Sequence, residues 1–355
     1  MNDPRMQKLL KKMVETGASD LHLTAGYPPA LRINEDLKPL DEPTLTGEET
    51  RALAYSLLSS QQVKAFESDL EMDMSFGFED LGRFRVNVFM QRSSVSVAIR
   101  LLPSHIRTFE ECGLPLRSME EICRRKKGLI LITGATGSGK STTLASIVGW
   151  INAHWRCHII TIEDPIEYIH KNQQAIVDQR ELGADTHSFK AALKHILRED
   201  PNVILIGEMR DLETIESALN IAETGHLVLA TLHTSDAVQS INRIVDVFPA
   251  HQQQQVRIQL SFVLLGIFAQ QLIPSANGDE RRLAIEILLA TPAIRALVRE
   301  GKAHQIYSVI QTSQKDGMRT MNQSLAELTL KKEISTEEAM ARSHDPDELM
   351  RLVHP

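Results

Sequence analysis

The stretch LILITGATGSGKST, residues 129–142, decides the fold. Four apolar residues, Leu129, Ile130, Leu131 and Ile132, run into a glycine-rich loop, and Ser141 onward (TTLASIVGWI) reads as a helix. A short apolar run bounded by glycine reads as a buried strand. The spacing of Gly134, four residues, then Gly139-Lys140-Ser141 is G-x-x-x-x-G-K-[ST], in the strand–loop–helix setting that a phosphate loop needs. Glycines let backbone N–H groups converge on phosphate oxygens, and the helix N-terminus adds positive potential. Gly134, Ala135, Thr136, Gly137, Ser138, Gly139, Lys140, Ser141 and Thr142 are therefore the expected cradle for ATP. Lys140 is expected to reach the β/γ-phosphates and the Ser141 hydroxyl to ligate Mg²⁺.

Working outward, 355 residues suggest two domains. A net charge of −7 offers no general attraction to nucleic acid or anionic lipid, so neither is an expected partner. The basic run Arg124–Lys127 reads as a solvated charge cluster. The longest apolar stretch, Leu260–Ala269, is too short to span a bilayer, and residues 1–17 read as an amphipathic helix rather than a signal peptide. Cys112, Cys123 and Cys157 form no C-x-x-C pair and are expected as free thiols in a reducing cytosol. A cytoplasmic chain without direct membrane insertion is the expectation.

Residues 1–102 read as a small α/β domain. A helix over 4–16 and a strand over Ser19–Thr24 come first, and Pro28-Pro29 and Asn34-Glu35-Asp36 bracket a hairpin with Ala30–Ile33. A helix opened by Thr46-x-x-Glu49 and a second over Ser60–Glu67 follow. Strands come next near Asp73–Phe78, Arg83–Phe89 and Val95–Leu101. In the last two, Phe84, Val86 and Val88 share a face, as do Val95, Val97 and Ile99, which leaves Arg83, Arg85 and Arg100 on the other. An antiparallel pair with an apolar underside and an arginine-bearing top follows. Those arginines are either solvated strand charges or a surface offered to an anion, such as nucleotide on another subunit. Residues 103–115 read as a linker, and 116–355 as the ATP-binding domain.

In that second domain, apolar strands alternate with helices, which argues a parallel sheet covered on both faces. His158–Ile162 ends in Glu163-Asp164-Pro165, Asn202–Ile206 in Gly207-Glu208, and His226–Ala230 delivers Thr231-Leu232-His233. Polar groups beyond the carboxyl ends of parallel strands lie where α/β ligand sites form. Glu163 or Asp164 could polarise a water or hold Mg²⁺ through water, and His233 could sense the γ-phosphate. Glu208 stands in the Walker B position, where Gly207 replaces the usual aspartate, so the first acidic pair is expected to supply the missing carboxylate. A long helix over Val256–Ile273, a strand over Arg281–Leu288, and helices over 291–301, 317–331, 335–342 and 345–353 complete the chain.

The motifs together resemble the secretion and type IV pilus ATPases, over essentially the whole chain. The carriers are GATGSGKST (134–142), TIEDPIE (161–167), LIGEMRD (205–211) and GHLVLATLHT (225–234), with QRELGADT (179–186) close to the family's QREVGADT. AIRALVREGK (293–302) is similar to the AIRNLIREGK element of the retraction branch, with Ala296 and Val298 in place of Asn and Ile. The resemblance implies a PAS-like N-terminal domain joined to a RecA-like ATPase domain, assembled as a homo-hexamer that hydrolyses ATP with Mg²⁺ to power pilus retraction and twitching motility. It implies Glu163 as general base, Glu208 near Mg²⁺ and the attacking water, His226 and His233 as His-box residues that meet the nucleotide, and Arg85 and Arg100 as trans arginines. The implied partners are an inner-membrane platform protein, at whose cytoplasmic face the ring sits, and a second retraction ATPase. An accessory retraction ATPase is the alternative, with RDLETIE (210–216) favouring the primary motor. Extension and secretion members usually carry an extra N-terminal domain and often a four-cysteine zinc site, for which this chain has neither room nor cysteines.

Overall fold

Strands that alternate apolar and polar residues build one sheet of this protein, and fully buried, mostly apolar strands form the centre of another. The computed structural model divides into two units, Met1–His105 and Ile106–Pro355. It describes residues 3–33, 36–78, 81–103, 105–278 and 280–354. No helix among these is long and apolar enough to cross a membrane.

In the first unit, helix α1 (Pro4–Glu15) opens on Asp3, whose carboxylate accepts from the Arg5 and Met6 amides, with proline in the first turn. It buries Met6, Leu9, Leu10 and Met13, the stripe expected of one helical face. Strands β1 (Asp20–Leu23), β2 (Ala30–Ile33) and β3 (Asp36–Pro39) follow; Asn34 and Glu35 of the expected turn lie outside the described residues. Helices α2 (Gly47–Leu57) and α3 (Ser60–Asp69) each begin with a reciprocal capping box, Thr46 with Glu49 and Ser59 with Gln62. Strands β4 (Glu71–Phe78), β5 (Gly82–Gln91) and β6 (Ser94–Leu102) complete an antiparallel sheet in the order β3-β2-β1-β6-β5-β4. Phe84, Val86, Val88, Val95, Val97 and Ile99 are buried with the apolar faces of α1 and α2, each contributing about 1.5–3 kcal/mol. This is the PAS-like N-terminal domain.

In the second unit, helix α4 (Leu116–Cys123) leads into β7 (Gly128–Thr133), the phosphate loop, α5 (Lys140–His154), β8 (His158–Glu163), β9 (Ile176–Glu181) and α6 (Phe189–Ile196). Then come β10 (Val203–Ile206), α7 (Leu212–Glu223), β11 (Leu227–Leu232), α8 (Ala237–Asp246) and α9 (Ala250–Val263). Strands β12 (Leu264–Pro274) and β13 (Arg281–Leu289) precede α10 (Pro292–Arg299), α11 (Ile306–Thr312), α12 (Met321–Leu330), α13 (Thr336–Arg342) and α14 (Pro346–Val353). The sheet runs β13-β12-β7-β11-β10-β8-β9, parallel except for β13 against β12. Every residue of β7, β10 and β11 is buried, because helices cover both faces. This is a RecA-like domain with a helical C-terminal region, and its last helices pack a separate small core with Ile273 and Ala284. Phe109 and Leu114, from the stretch read as a linker, are buried in this unit's core, while Ser104 lies outside the described residues.

One reading is corrected. The expected helix Val256–Ile273 ends at Val263, and the chain continues as β12, parallel to β7. Periodicity cannot separate helix from strand in a run buried on all sides, such as LLGIFA. A Cβ at Gly266 would stand 2.7 Å from the Ile122 side chain and 3.0 Å from the Leu288 carbonyl oxygen. Such close backbone approach is what glycine in a strand permits. The polar residues His251–Gln255 lie inside α9, which begins at Ala250. The expected helix 317–331 begins at Met321, because Arg319 first pairs with Ile287 of β13.

Candidate active site

The phosphate loop is shaped by backbone that only glycine accommodates. Gly134 has φ +141°, and a Cβ there would lie 2.5 Å from both the Gln270 carbonyl oxygen and Ser138 Oγ. Gly139, at φ +90°, turns the chain into α5, whose first turn receives no side-chain cap. Those N–H groups therefore keep their capacity for an anion, reinforced by the helix dipole. Ser138 Oγ is buried without a hydrogen-bond partner, a further donor the loop holds in reserve. Lys140 Nζ donates to the carbonyls of Gly134 (2.8 Å) and Ala135 (2.9 Å) across the loop. Burial pulls the Lys140 pKa down, against the raising influence of Glu208 and Glu167. Thr142 Oγ1 shares a hydrogen bond with the Tyr168 hydroxyl (2.9 Å), and Gln270 Nε2 donates to Thr143 Oγ1 (2.8 Å), fixing the first turn of α5 from two sides. A triphosphate fits this cradle.

Three neighbouring strand ends face the same edge of the sheet. Glu163 closes β8 and accepts from Thr161 Oγ1 (2.6 Å) and Gln179 Nε2 (3.2 Å). Burial pushes its pKa up, and nearby Glu167 adds to the rise. A carboxyl whose pKa is raised is a better proton acceptor than an ordinary carboxylate. Asp164, beside it, is exposed. Glu208 follows β10 and meets Arg210 Nε at 2.8 Å and His233 Nε2 at 3.3 Å. Burial raises its pKa, but Arg210 and His233 outweigh that and hold it below the ordinary carboxylate value. Two acids of one site are thus pushed in opposite directions, the pattern that separates a proton acceptor from a permanently charged group.

The missing Walker B aspartate has a steric reason. A Cβ at Gly207 would stand 3.2 Å from the Ile162 carbonyl oxygen and 3.3 Å from Glu163 Cα. The glycine admits the acidic end of β8 into the space that an aspartate would fill. Thr231 Oγ1 donates to the Gly207 carbonyl (2.6 Å), and the Met209 amide to the Thr231 carbonyl (3.1 Å), locking the β10 and β11 ends together. Among the described residues, no group of three or more His, Cys, Asp or Glu could hold a metal ion. Mg²⁺ usually keeps several waters and takes one or two carboxylates beside phosphate oxygens, a manner of binding that needs no such group.

His226 lies at the other end of β11 from His233. It precedes β11, at the amino ends of the parallel strands, where its carbonyl accepts from the Gly128 amide. The six residues of β11 separate it from His233 by ~17 Å or more. Its ring contacts Thr224 Oγ1 and the Ile221 carbonyl, so it finishes the turn after α7. A shared sequence motif had joined two histidines that the strand between them holds apart.

Arg85 and Arg100 lie in the first unit, directly opposite each other on β5 and β6. The rank continues through Asp20 and Arg32, with Arg100 Nε 2.7 Å from Asp20 Oδ1. Arg83 shares the face and donates to Ser75 Oγ. Like charges directly opposite on a sheet are destabilising, and both Arg85 and Arg100 are exposed, so the fold gains nothing from Arg85, while Arg100 serves it by pairing with the nearly buried Asp20.

Several contributors escaped the sequence reading. Glu167 and Arg210 stand inside quoted motifs but act only through tertiary contact with Glu163, Lys140 and Glu208. Gln179 and Thr161 reach Glu163 from β9 and β8. In AIRALVREGK, Ile294 and Val298 are core, and Arg295 turns inward to donate to the carbonyls of Ser261 (2.6 Å) and Phe262 (2.8 Å) at the end of α9. Arg299 and Lys302 are exposed.

The profile of the type II/IV secretion system protein family matches residues 3–341. The chain belongs to this family. Within it, the chain is 46% identical over 344 residues to the "Type IV pilus retractation ATPase PilT" of Pseudomonas aeruginosa, covering 96% of this chain and 98% of that protein. It is 43% identical over 347 residues to the "Type IV pilus ATPase PilU" of the same organism, covering 98% and 91%. A crystal structure of the pilus retraction motor PilT with bound ADP superposes with a TM-score of 0.92 at 54% identity, over 97% of this chain and 98% of that one. This secretion-family member thus shares both domains with that motor.

Proposed function

We propose that the chain is an ATP-hydrolysing motor that powers retraction of type IV pili, working as a homo-hexamer at the cytoplasmic face of the inner membrane. One observation carries this reading. Four strand ends of a single sheet bring the Lys140 loop, Glu163, Glu208 and His233 together, in a chain that belongs to the secretion family and is 46% identical to PilT. The α5 amides and Lys140 hold the triphosphate. Bound Mg²⁺ would neutralise charge on the transferring phosphate, with Ser141 as its ligand and Glu208 and Glu163 nearby. Glu163 takes the proton of the attacking water, and Glu208, kept ionised by Arg210 and His233, orients that water. Arg85 and Arg100 of a neighbouring subunit supply the remaining charge stabilisation.

Nucleotide binding moves the two domains against each other only through its different affinity for their arrangements, and that difference is the work available. The platform protein of the pilus machine is the proposed recipient, and a second retraction ATPase the proposed companion. The deciding experiment is phosphate release across size-exclusion fractions. Activity confined to a hexamer-sized peak and lowered about 10²–10³-fold by Glu208→Gln is the expected result; an equally active monomer would remove the trans-arginine role. The 43% identity to PilU also favours a second reading, an accessory ATPase acting with a primary motor. Restoration of twitching in a strain lacking every other retraction ATPase would exclude it.

A further inference from the structure

β8 and β9 are parallel neighbours joined by residues 164–175, with no helix between them. Long irregular connections inside a compact domain are uncommon and usually functional. This one is fastened at several points. The Ile166 amide donates to Oε2 of the buried Glu181 at 3.1 Å. Asn152 of α5, 1% exposed, donates to the Lys171 carbonyl (2.8 Å) and accepts the Gln173 amide (3.1 Å). At the other end of α5, in its first turn, Thr142 Oγ1 meets the Tyr168 hydroxyl at 2.9 Å. The phosphate-loop helix therefore grips this segment from near both of its own ends.

Gln179 of β9 is where the segment reaches Glu163. The register puts Gln179 directly opposite Thr161, so their side chains share the face that carries Glu163, two residues further along β8. Gln179 Oε1 accepts the His170 amide at 2.8 Å, while Nε2 donates to the Tyr168 carbonyl at 2.8 Å. These two backbone groups fix which way the side-chain amide points, because the reverse would set oxygen against carbonyl and nitrogen against N–H. Nε2 also donates to Glu163 Oε1 at 3.2 Å, the oxygen that accepts from Thr161 Oγ1 at 2.6 Å. Two donors on one oxygen fix the rotation of the carboxylate, and hydrogen bonds to an ionised group are about twice as strong as neutral ones.

We infer that residues 166–179 form a strut between the phosphate-loop helix and Glu163, with Gln179 as the positioning residue through which it acts. Tyr168 carries both halves of the strut. Its hydroxyl meets the first turn of α5, and its carbonyl holds the amide that holds Glu163. A movement of that turn as the cradle fills must carry Tyr168 and Gln179 with it or break a hydrogen bond, and polar groups left unpaired away from water are costly. A tie for the segment's backbone would need only the His170 and Tyr168 contacts; the third, to Glu163, connects Gln179 to the reaction. For its kinetic consequence the inference rests on the proton-accepting role proposed for Glu163, but the strut itself is a property of the folded chain.

The test is phosphate release by the assembled full chain, in steady state and in a single turnover. Gln179→Met keeps the length of the side chain without its donor. Its kcat is expected to fall about tenfold, as misplacement of a reacting group does, while KM for ATP stays within about twofold. Gln179→Glu keeps an acceptor for the His170 amide but no donor for Glu163, and should lose at least as much; unchanged turnover in either variant would overturn the inference. The decisive comparison is made in Glu163→Gln. There, adding Gln179→Met should change the residual single-turnover rate by less than about twofold, because the group it positions is already gone. An equal loss in both backgrounds would reduce Gln179 to a tie for the loop. Tyr168→Phe removes one hydroxyl and leaves the Gln179 contacts in place, so it is the variant least able to disturb folding. A several-fold loss of kcat is expected, with the double variant no slower than Gln179→Met alone; full turnover, or losses that multiply, would overturn the link to α5. Full turnover by Glu163→Gln itself would sink the proton-accepting role. Amide hydrogen exchange over residues 164–175 would still judge the strut, which predicts less protection in Gln179→Met and Tyr168→Phe and is overturned by protection unchanged in both.

Discussion

The two sheets of this protein carry their charged groups in opposite ways. The ATPase sheet is apolar along β7, β10 and β11 and puts Lys140, Glu163, Glu208 and His233 just beyond its strand ends. The N-terminal sheet puts Arg85, Arg100 and Arg32 along the strands themselves, on a face its helices leave open. A parallel sheet covered on both sides has only its ends free for chemistry. A half-covered antiparallel sheet can offer a whole face to something outside its own fold. The first is a site assembled at strand ends; the second is a charged face on which Arg100 already meets Asp20.

The sharpest way to break this comparison is to remove the arginines. Arg85→Ala with Arg100→Ala should lower kcat by ~10³-fold or more, as loss of a trans arginine does; Arg85→Ala alone should leave Tm nearly unchanged, while Arg100→Ala should lower it by taking the 2.7 Å partner from the nearly buried Asp20. Unchanged turnover would reduce that face to solvated charge. Next in size, Glu208→Gln should lower kcat by about 10²–10³-fold, the usual loss for one preorganised electrostatic group, with nucleotide binding retained when followed by a fluorescent ATP analogue.

Glu163 sharpens the comparison through pH. Its folded pKa is raised by burial, so the folded state holds a proton that the unfolded state has lost. Stability contributed by Glu163 is therefore full below its unfolded pKa and falls as pH rises towards the folded one. Activity has the opposite sign, because the base works ionised: kcat should rise with pH through the same window, and Glu163→Gln should abolish that rising limb. A smaller effect concerns the underside of the N-terminal sheet. Ile99→Ala should cost about 2–5 kcal/mol in urea unfolding, against less than about 0.5 kcal/mol for Arg85→Ala one strand away. Smallest of all, His226→Ala should leave kcat within about twofold in steady-state assays, since it sits at the wrong end of β11.

How much of this was legible varied with the distance over which each feature is determined. The phosphate loop was legible because its glycines, lysine and hydroxyl are consecutive, and their conformation follows from local sterics. That Arg85 and Arg100 share a face was legible because side chains alternate along a strand with a period of two, while their direct opposition came from the register. The distance between His226 and His233 was not legible for the converse reason: a motif gives spacing, while only the extended strand gives distance. β12 was read as helix because a run buried on both faces shows no period, and the choice fell to Gly266 against β13.

By itself, the sequence determined the local chemistry: a triphosphate cradle at 134–142, acids at the ends of two strands, and an arginine face on a half-covered sheet. The tertiary structure decided which groups meet and in what state. Glu208 is held charged by Arg210 and His233, Glu163 is raised by enclosure, and Gly207 leaves room for β8 where an aspartate is usual. Glu286 lies 49 residues beyond the Ala237 amide it holds. Burial and long-range hydrogen bonding depend on what the fold packs around a residue, and no window of sequence contains that.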